Sequence, residues 1–365
     1  GIDSRNNEAC ISLYKTFYKL HDFDGFKRSP LDWQNALRRN AAFLLAPARD
    51  QVEQYEQNLP RACWMSMEDS ASGQRWSHNA FPGLYHTSHI FAFLRFSEHF
   101  PEDPMAVEAK RQAKTFGDWL LHNWLPKDWV YGMFPFSIVT NGILKEGHRG
   151  TTVTRAGRVG IAMLELYRTF KINDYLEYAR TLADGLVKFQ REDGSWPFRV
   201  NPRDGSVLEE YTSDAISPAR LFALLEEIEP NAAYHKARLD AIKWTLEVPI
   251  KLNRWEGMYE DTSHDLPYSN MENLDTNETV RYLVHHRDEH KDYLEIAKRL
   301  NRWIEDQFVV YETEDCKALG SADIGTNAIG AKNLRSPTPM VVEQYMCDYP
   351  MEGHTGNWLM SLIAL

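Results

Sequence analysis

Apolar residues recur at the 3.6-residue helical period over residues 86–100, 152–171, 213–228 and 275–286. In the second run Ile161, Leu164, Leu166 and Tyr167 form a stripe, while Glu165 and Arg168 stand off it. Each run is followed by a second helical stretch with an Ala and a basic residue ahead of a bulky apolar one: Ala113-Lys114 before Trp119, Ala179-Arg180 before Leu186, Ala237-Arg238 before Trp244, and Ala297-Lys298 before Trp303. These pairs lie 66, 58 and 60 residues apart, so the repeating unit is a helical hairpin of about 60 residues with its loops. Further helical segments near residues 8–20 and 30–57 precede the series, and one from His354 to Leu365 closes it, which predicts about eleven helices.

An amphipathic hairpin leaves an apolar face that only a neighbouring hairpin can cover, so the repeats share a core in an open superhelix or a closed ring. Turns inside the hairpins are short, near residues 100–104, 171–174, 228–231 and 286–290, whereas the connections between hairpins run roughly 23 to 46 residues. Solenoid links are short and regular; long aromatic-rich connections on one side favour a ring whose loop-rich face carries the site. The expectation is one domain over residues 1–365.

Composition narrows the function. With 52 acidic and 41 basic side chains among 365 residues, the net charge of −11 gives no footprint for a polyphosphate backbone, so no nucleic acid is expected as a partner. At 43% hydrophobic and 25% charged the chain has ample core material and is not disordered. No apolar run is long enough to span a bilayer. Cys10, Cys63, Cys316 and Cys347 match neither a zinc spacing nor a dense disulfide framework; one bridge and four free thiols are equally compatible. The start at Gly1 is compatible with a removed signal peptide, and a periplasmic or extracellular location is expected from the function inferred below. The 11 Trp are either core of packed helices or flat platforms along a cleft.

The best defined local motif is Gln190-Arg191-Glu192-Asp193-Gly194-Ser195-Trp196-Pro197-Phe198, at the end of a helix. Gly194 permits a positive φ at the helix exit, Pro197 forbids resumption, and Trp196 folds back as a plug. The string resembles the QW element of terpene cyclases, but the acidic cluster such an enzyme needs is missing; D-G-x-W-P is similar to a stretch of some pectate lyases. In helical toroids this element is structural: the Gln caps a helix end and the Trp packs on the next hairpin. Over most of residues 30–365 the chain resembles the six-hairpin glycosidase and α/α-toroid polysaccharide lyase group. The resemblance implies an all-α, (α/α)6-type toroid that binds sugars at the mouth of its inner helix ring. It also implies flanking aromatics, and chemistry by carboxylates or by a Tyr, His, Arg and Asn set.

The loop face offers such groups. Glu209, Glu210, Tyr211, Thr212, Ser213 and Asp214 lead into one repeated helix, where the plainer role of Asp214 or Ser213 is to cap the helix. The next connection carries Trp255, Tyr259, Glu260, Asp261, His264, Asp265 and Tyr268. Glycosidic cleavage needs one acid to protonate the leaving oxygen and a second carboxylate opposite it. The candidates for that pair are Asp214, Glu210, Glu260 and Asp261, with Trp196, Tyr211, Trp255 and Tyr259 as platforms. Tyr85, His86 and His89 open the first repeated helix, Arg155 opens the next, and Glu343, Gln344, Tyr345 and His354 lie at the last. For a lyase, Tyr85, Tyr259 or His86 is the base and Arg155 neutralises a uronate carboxylate.

The expectation is therefore a glycoside hydrolase acting on an oligo- or polysaccharide, a uronate-containing one if Arg155 holds a carboxylate, with a lyase or a non-catalytic sugar-binding scaffold as alternatives. No cofactor or metal is expected. His286-Arg287-Asp288-Glu289-His290 fits a zinc-peptidase pattern but falls at a hairpin turn, Asp22-Phe23-Asp24-Gly25 lacks the rest of a calcium loop, and Asn277-Glu278-Thr279 is a formal glycosylation sequon.

Overall fold

Four helical hairpins follow one another in the computed structural model, which describes residues 33–45, 65–68, 75–78, 82–135, 151–255, 274–310, 340–341, 361 and 364–365. Helix α1 is Trp33–Leu45. The hairpins are α2 (Pro82–His99) with α3 (Pro104–His122), α4 (Arg155–Phe170) with α5 (Asn173–Phe189), α6 (Ile216–Glu226) with α7 (Ala232–Thr245), and α8 (Leu274–His285) with α9 (Tyr293–Phe308). Their tight turns are set by local chemistry. Asp103 accepts the Met105 N–H at 3.0 Å ahead of Pro104, Lys171 takes the left-handed conformation at φ 57°, and Asn231 accepts the Ala233 N–H at 2.9 Å.

Helices α2, α4, α6 and α8 pack in succession as an inner layer, each backed by its own partner, while α3, α5 and α7 form the outer layer and α1 lies against α2 and α3. Gly157 shows how closely inner neighbours approach: a Cβ there would lie 2.6 Å from the Pro218 nitrogen at the start of α6. Between the layers lies a continuous apolar core that includes Phe93, Phe96, Phe116, Leu164, Leu182 and Phe222. Ser361, in the closing segment, donates its hydroxyl to the Asn277 side-chain oxygen at 2.8 Å, which sets the end of the chain beside α8. Asn277 is fully buried by this packing, so the sequon is sealed in the folded chain.

Every inter-hairpin connection leaves the end of an outer helix and returns at the start of an inner one, which puts the described parts of these loops at one end of the molecule. Three short strands bind two of them together there: β3 (Thr151–Thr152), β4 (Arg199–Val200) and β5 (Val207–Glu209) make an antiparallel sheet in that order. The pairs β1 (Met65–Glu68) with β2 (Arg75–His78), and β6 (Val309–Val310) with β7 (Met340–Val341), are separate ribbons. Among the described residues no helix is long and apolar enough to cross a membrane.

The Gln190–Phe198 motif has the structural role its sequence implies. The Gln190 amide donates to the Gly194 carbonyl at 3.0 Å and to the Ala237 carbonyl on α7 at 2.9 Å. The buried Trp196 indole donates to the Leu186 carbonyl at 2.9 Å, with its ring against Phe222 of α6.

Candidate active site

The segments that open α4, α6 and α8 bring three charged side chains together. Asp214 precedes α6, Asp275 sits in the first turn of α8, Arg155 opens α4, and all three are buried. The Ser213 hydroxyl donates to Asp275 Oδ2 at 2.6 Å. Asp214 accepts the Ser217 N–H at 3.0 Å, the contact of a capping residue, and a hydrogen bond from the Thr154 side chain. Burial pushes the Asp214 carboxyl up, against the opposing pull of Ser217, Arg155 and Thr154. Burial and the neighbouring Asp214 charge push Asp275 well above the usual carboxylate range, although Ser213 and Arg155 oppose them. Burial thus favours the protonated form at both carboxyls, and at Asp275 the Asp214 charge adds to it.

One helical turn further along the inner helices lies a second charged layer. Arg158 of α4 donates to the Thr87 hydroxyl at 2.9 Å and the Ser88 hydroxyl at 3.1 Å on α2. On α8, Arg281 donates to Glu278 at 2.6 Å, and Arg220 of α6 pairs with the same carboxylate. Burial favours protonation of Glu278, yet the Arg220, Arg281 and Arg158 guanidiniums hold it down at about 2. Arg155 and Arg158 thus act on residues of α8 although α6 stands between α4 and α8 in the inner layer. Both charged layers accordingly connect α4, α6 and α8 across the inner layer.

Among the expected site residues, Asp214 and Arg155 are brought together, and others are placed elsewhere. Arg155 acts on the two aspartates, so its charge is directed at the carboxyl pair. His86 and His89 are buried between the layers: the His86 ring lies 5.2 Å from Phe116 and 4.7 Å from Trp119, and His89 lies 4.8 Å from Phe116. Their spacing puts them on the face of α2 that meets α3, which corrects the expectation that they line the mouth. Trp196 and Trp255 are fully buried, Trp255 against Trp303 at 6.0 Å, so neither offers a face to a sugar. Tyr211 donates its hydroxyl to the Arg254 carbonyl at 2.6 Å, and the Arg254 guanidinium lies 3.7 Å over its ring, which occupies the platform expected there. Glu210 pairs with Arg191 at the exposed rim, outside the carboxyl pair. Tyr85 lies in α2, and Tyr259, Glu260, Asp261, Glu343 and His354 fall outside the described residues.

Asp275 was not among the expected carboxylates. Its signal is positional: it opens the fourth amphipathic run, as Arg155 opens the second and Ser213-Asp214 lead into the third. No group of His, Cys, Asp and Glu among the described residues is arranged to hold a metal ion. In the zinc-like string, His286 meets Glu289 at 2.9 Å and Glu289 binds Arg238 at 2.8 Å, an ion-pair network in the turn between α8 and α9.

The architecture is that of the α/α toroids. A cellobiose 2-epimerase from Spirochaeta thermophila superposes over 98% of this chain and 84% of its own, with a TM-score of 0.62 at 12% identity. An unsaturated glucuronyl hydrolase from Bacillus sp. GL1 matches over 98% of this chain and 84% of its own, with a TM-score of 0.55 at 13% identity. A family 76 glycoside hydrolase from a bovine Bacteroides thetaiotaomicron strain covers 99% of this chain and 68% of its own, with a TM-score of 0.55 at 11% identity. No family model matches the chain, and no curated protein matches it in sequence.

Proposed function

We propose that the protein is a carbohydrate-active enzyme that hydrolyses a glycosidic bond, with Asp275 as general acid and Asp214 as the opposing carboxylate. The observation that carries this is the buried pair itself, its proton affinity raised at both members and most at Asp275. In the forward step the Asp275 carboxyl gives its proton to the glycosidic oxygen as the bond from that oxygen to the anomeric carbon breaks. Asp214 takes a proton from the water whose oxygen joins the anomeric carbon. Arg155 offsets the single negative charge that the pair carries before and after the proton moves. Solved structures of the same fold include two hydrolases of saccharides, which supports the reaction class. A periplasmic or extracellular location belongs to this reading, since that is where saccharide polymers are met.

A second reading, epimerisation at a sugar carbon, is favoured by the likeness to the cellobiose 2-epimerase. The same two carboxyls would then exchange a proton with carbon. Elimination by a His86 base is disfavoured, because that ring is sealed between α2 and α3. Incubation with a panel of oligosaccharides in ¹⁸O-labelled water separates these chemistries. Hydrolysis puts the label on a new reducing end, epimerisation leaves the chain length unchanged, and elimination yields an unsaturated sugar without label. Label in the reducing end supports the proposal, and either other product overturns it.

A further inference from the structure

The second charged layer has no part in proton transfer, and its geometry is that of a receiving site. Arg158 and Glu278 lie three residues beyond Arg155 and Asp275, about 5 Å along the helix axis, and Arg220 and Arg281, six residues beyond Asp214 and Asp275, reach back to the Glu278 carboxylate at that level. That depth is close to the span of one pyranose ring. Each member is held in place: Arg158 by the Thr87 and Ser88 hydroxyls and by the Phe91 ring 5.3 Å from its guanidinium, and Arg281 by Glu278. Arg220 keeps 36% of its side chain exposed while paired to Glu278. Three guanidiniums converge on the single carboxylate of Glu278, whose strong preference for the ionised form registers a positive potential at that depth.

From this arrangement we infer that the belt formed by Arg158, Arg220, Arg281 and Glu278 is a subsite for one terminal sugar residue bearing a carboxylate. The inference rests on the saccharide reading above and deepens it. A carboxylate entering the belt accepts parallel hydrogen bonds from the planar Arg220 guanidinium, while the sugar hydroxyls find both donors and an acceptor in the neighbouring pairs. The scissile bond of such a residue lies at the level of Asp214 and Asp275. An enzyme so arranged removes acidic sugars one at a time from a chain end.

Calorimetric titration of the intact protein with methyl β-D-glucuronide and with methyl β-D-glucoside tests the subsite without requiring turnover. The wild type is expected to bind the glucuronide at least about tenfold more tightly, the scale of one good charge-assisted contact. Arg220→Leu is expected to bring the two affinities together, and Arg220→Lys to keep part of the difference. Circular dichroism of both variants checks the fold, and the Lys variant carries the test if the Leu variant does not fold. Equal binding of the two glycosides by the wild type, or a preference that survives Arg220→Leu, overturns the subsite. Asp214→Asn distinguishes the two levels: unchanged turnover in that variant with the binding preference intact defeats the hydrolytic reading alone, whereas equal binding of the two glycosides by a wild type whose turnover is lost in Asp214→Asn defeats the subsite alone.

Discussion

Ser213 donates its hydroxyl hydrogen to Asp275 Oδ2 across 2.6 Å, joining the loop before α6 to the first turn of α8. That bond favours the ionised form of Asp275, against burial and the charge of Asp214. Ser213→Ala therefore raises the Asp275 proton affinity further. If Asp275 is the acid, kcat/KM falls as pH rises through its pKa, so the variant is expected to move the alkaline limb of the pH profile upward. An unmoved limb, measured from pH 4 to 9 in roughly half-unit steps, argues against Asp275 as the acid.

The proposed acid role of Asp275 carries a stability consequence. A group whose folded pKa is raised contributes stability at low pH that is lost as pH rises through the folded value, so ionised Asp275 is a penalty at neutral pH. Asp275→Asn removes that penalty and keeps an oxygen to accept from Ser213. The expected outcome is a melting temperature at pH 7 equal to or above wild type, together with a loss of turnover of roughly a hundredfold or more. Differential scanning calorimetry beside a rate assay checks both halves.

Acid is expected to destabilise the protein in two stages. Burial, with His89 adding, holds His86 well below the ordinary imidazole range, and burial lowers His286 although Glu289 opposes it. The folded chain disfavours the charged form of both rings, so their contribution is present above the unfolded His value and is lost as pH falls below about 6.5. Glu278, held at about 2, is the opposite charge type: its contribution is present above the ordinary glutamate range and is lost as pH falls from there towards 2. Neither ring nitrogen of His86 has a hydrogen-bond partner among the described residues. His86→Phe is thus expected to stabilise by about 1–2 kcal/mol, more at pH 5 than at pH 8, and melting curves across that range measure it.

Gly194 sits at φ 93°, and a Cβ there would meet the Asp240 carbonyl oxygen at 2.2 Å. Gly194→Ala combines left-handed strain with a backbone clash between two hairpins. A loss of about 2–4 kcal/mol is expected in chemical denaturation, with Trp196 fluorescence reporting the loosened plug. A wild-type midpoint speaks against the close packing of this motif on α7.

The hairpin series was legible because an interval of about 60 residues repeats both the amphipathic run and its Ala–basic partner. The structural role of Gln190, Gly194 and Trp196 was legible for a similar reason, since turn chemistry is local. The candidate site was legible only in part. Asp214 and Arg155 stand where a loop enters an inner helix, and their position in the repeat pointed to the mouth. Asp275 occupies the corresponding position but reads as an ordinary acidic residue in a helical first turn, and only the folded register shows it beside Ser213. His86 and His89 failed for a matter of helical phase: the spacing that puts them on one face does not say whether that face meets the interior or α3. Trp196 and Trp255 failed because a residue in a long connection can fold back into the core, and composition of the loop does not distinguish the two fates.

The central claim is that Asp214 and Asp275 work as one acid and base pair. Turnover of a cleavable oligosaccharide by Asp214→Asn, Asp275→Asn and the double variant tests it most directly. The account predicts a fall in kcat/KM of about 10²–10⁴ for each single variant, and a double variant little worse than either, as for groups that act as a unit. Wild-type turnover in either single variant, with the fold intact, contradicts it.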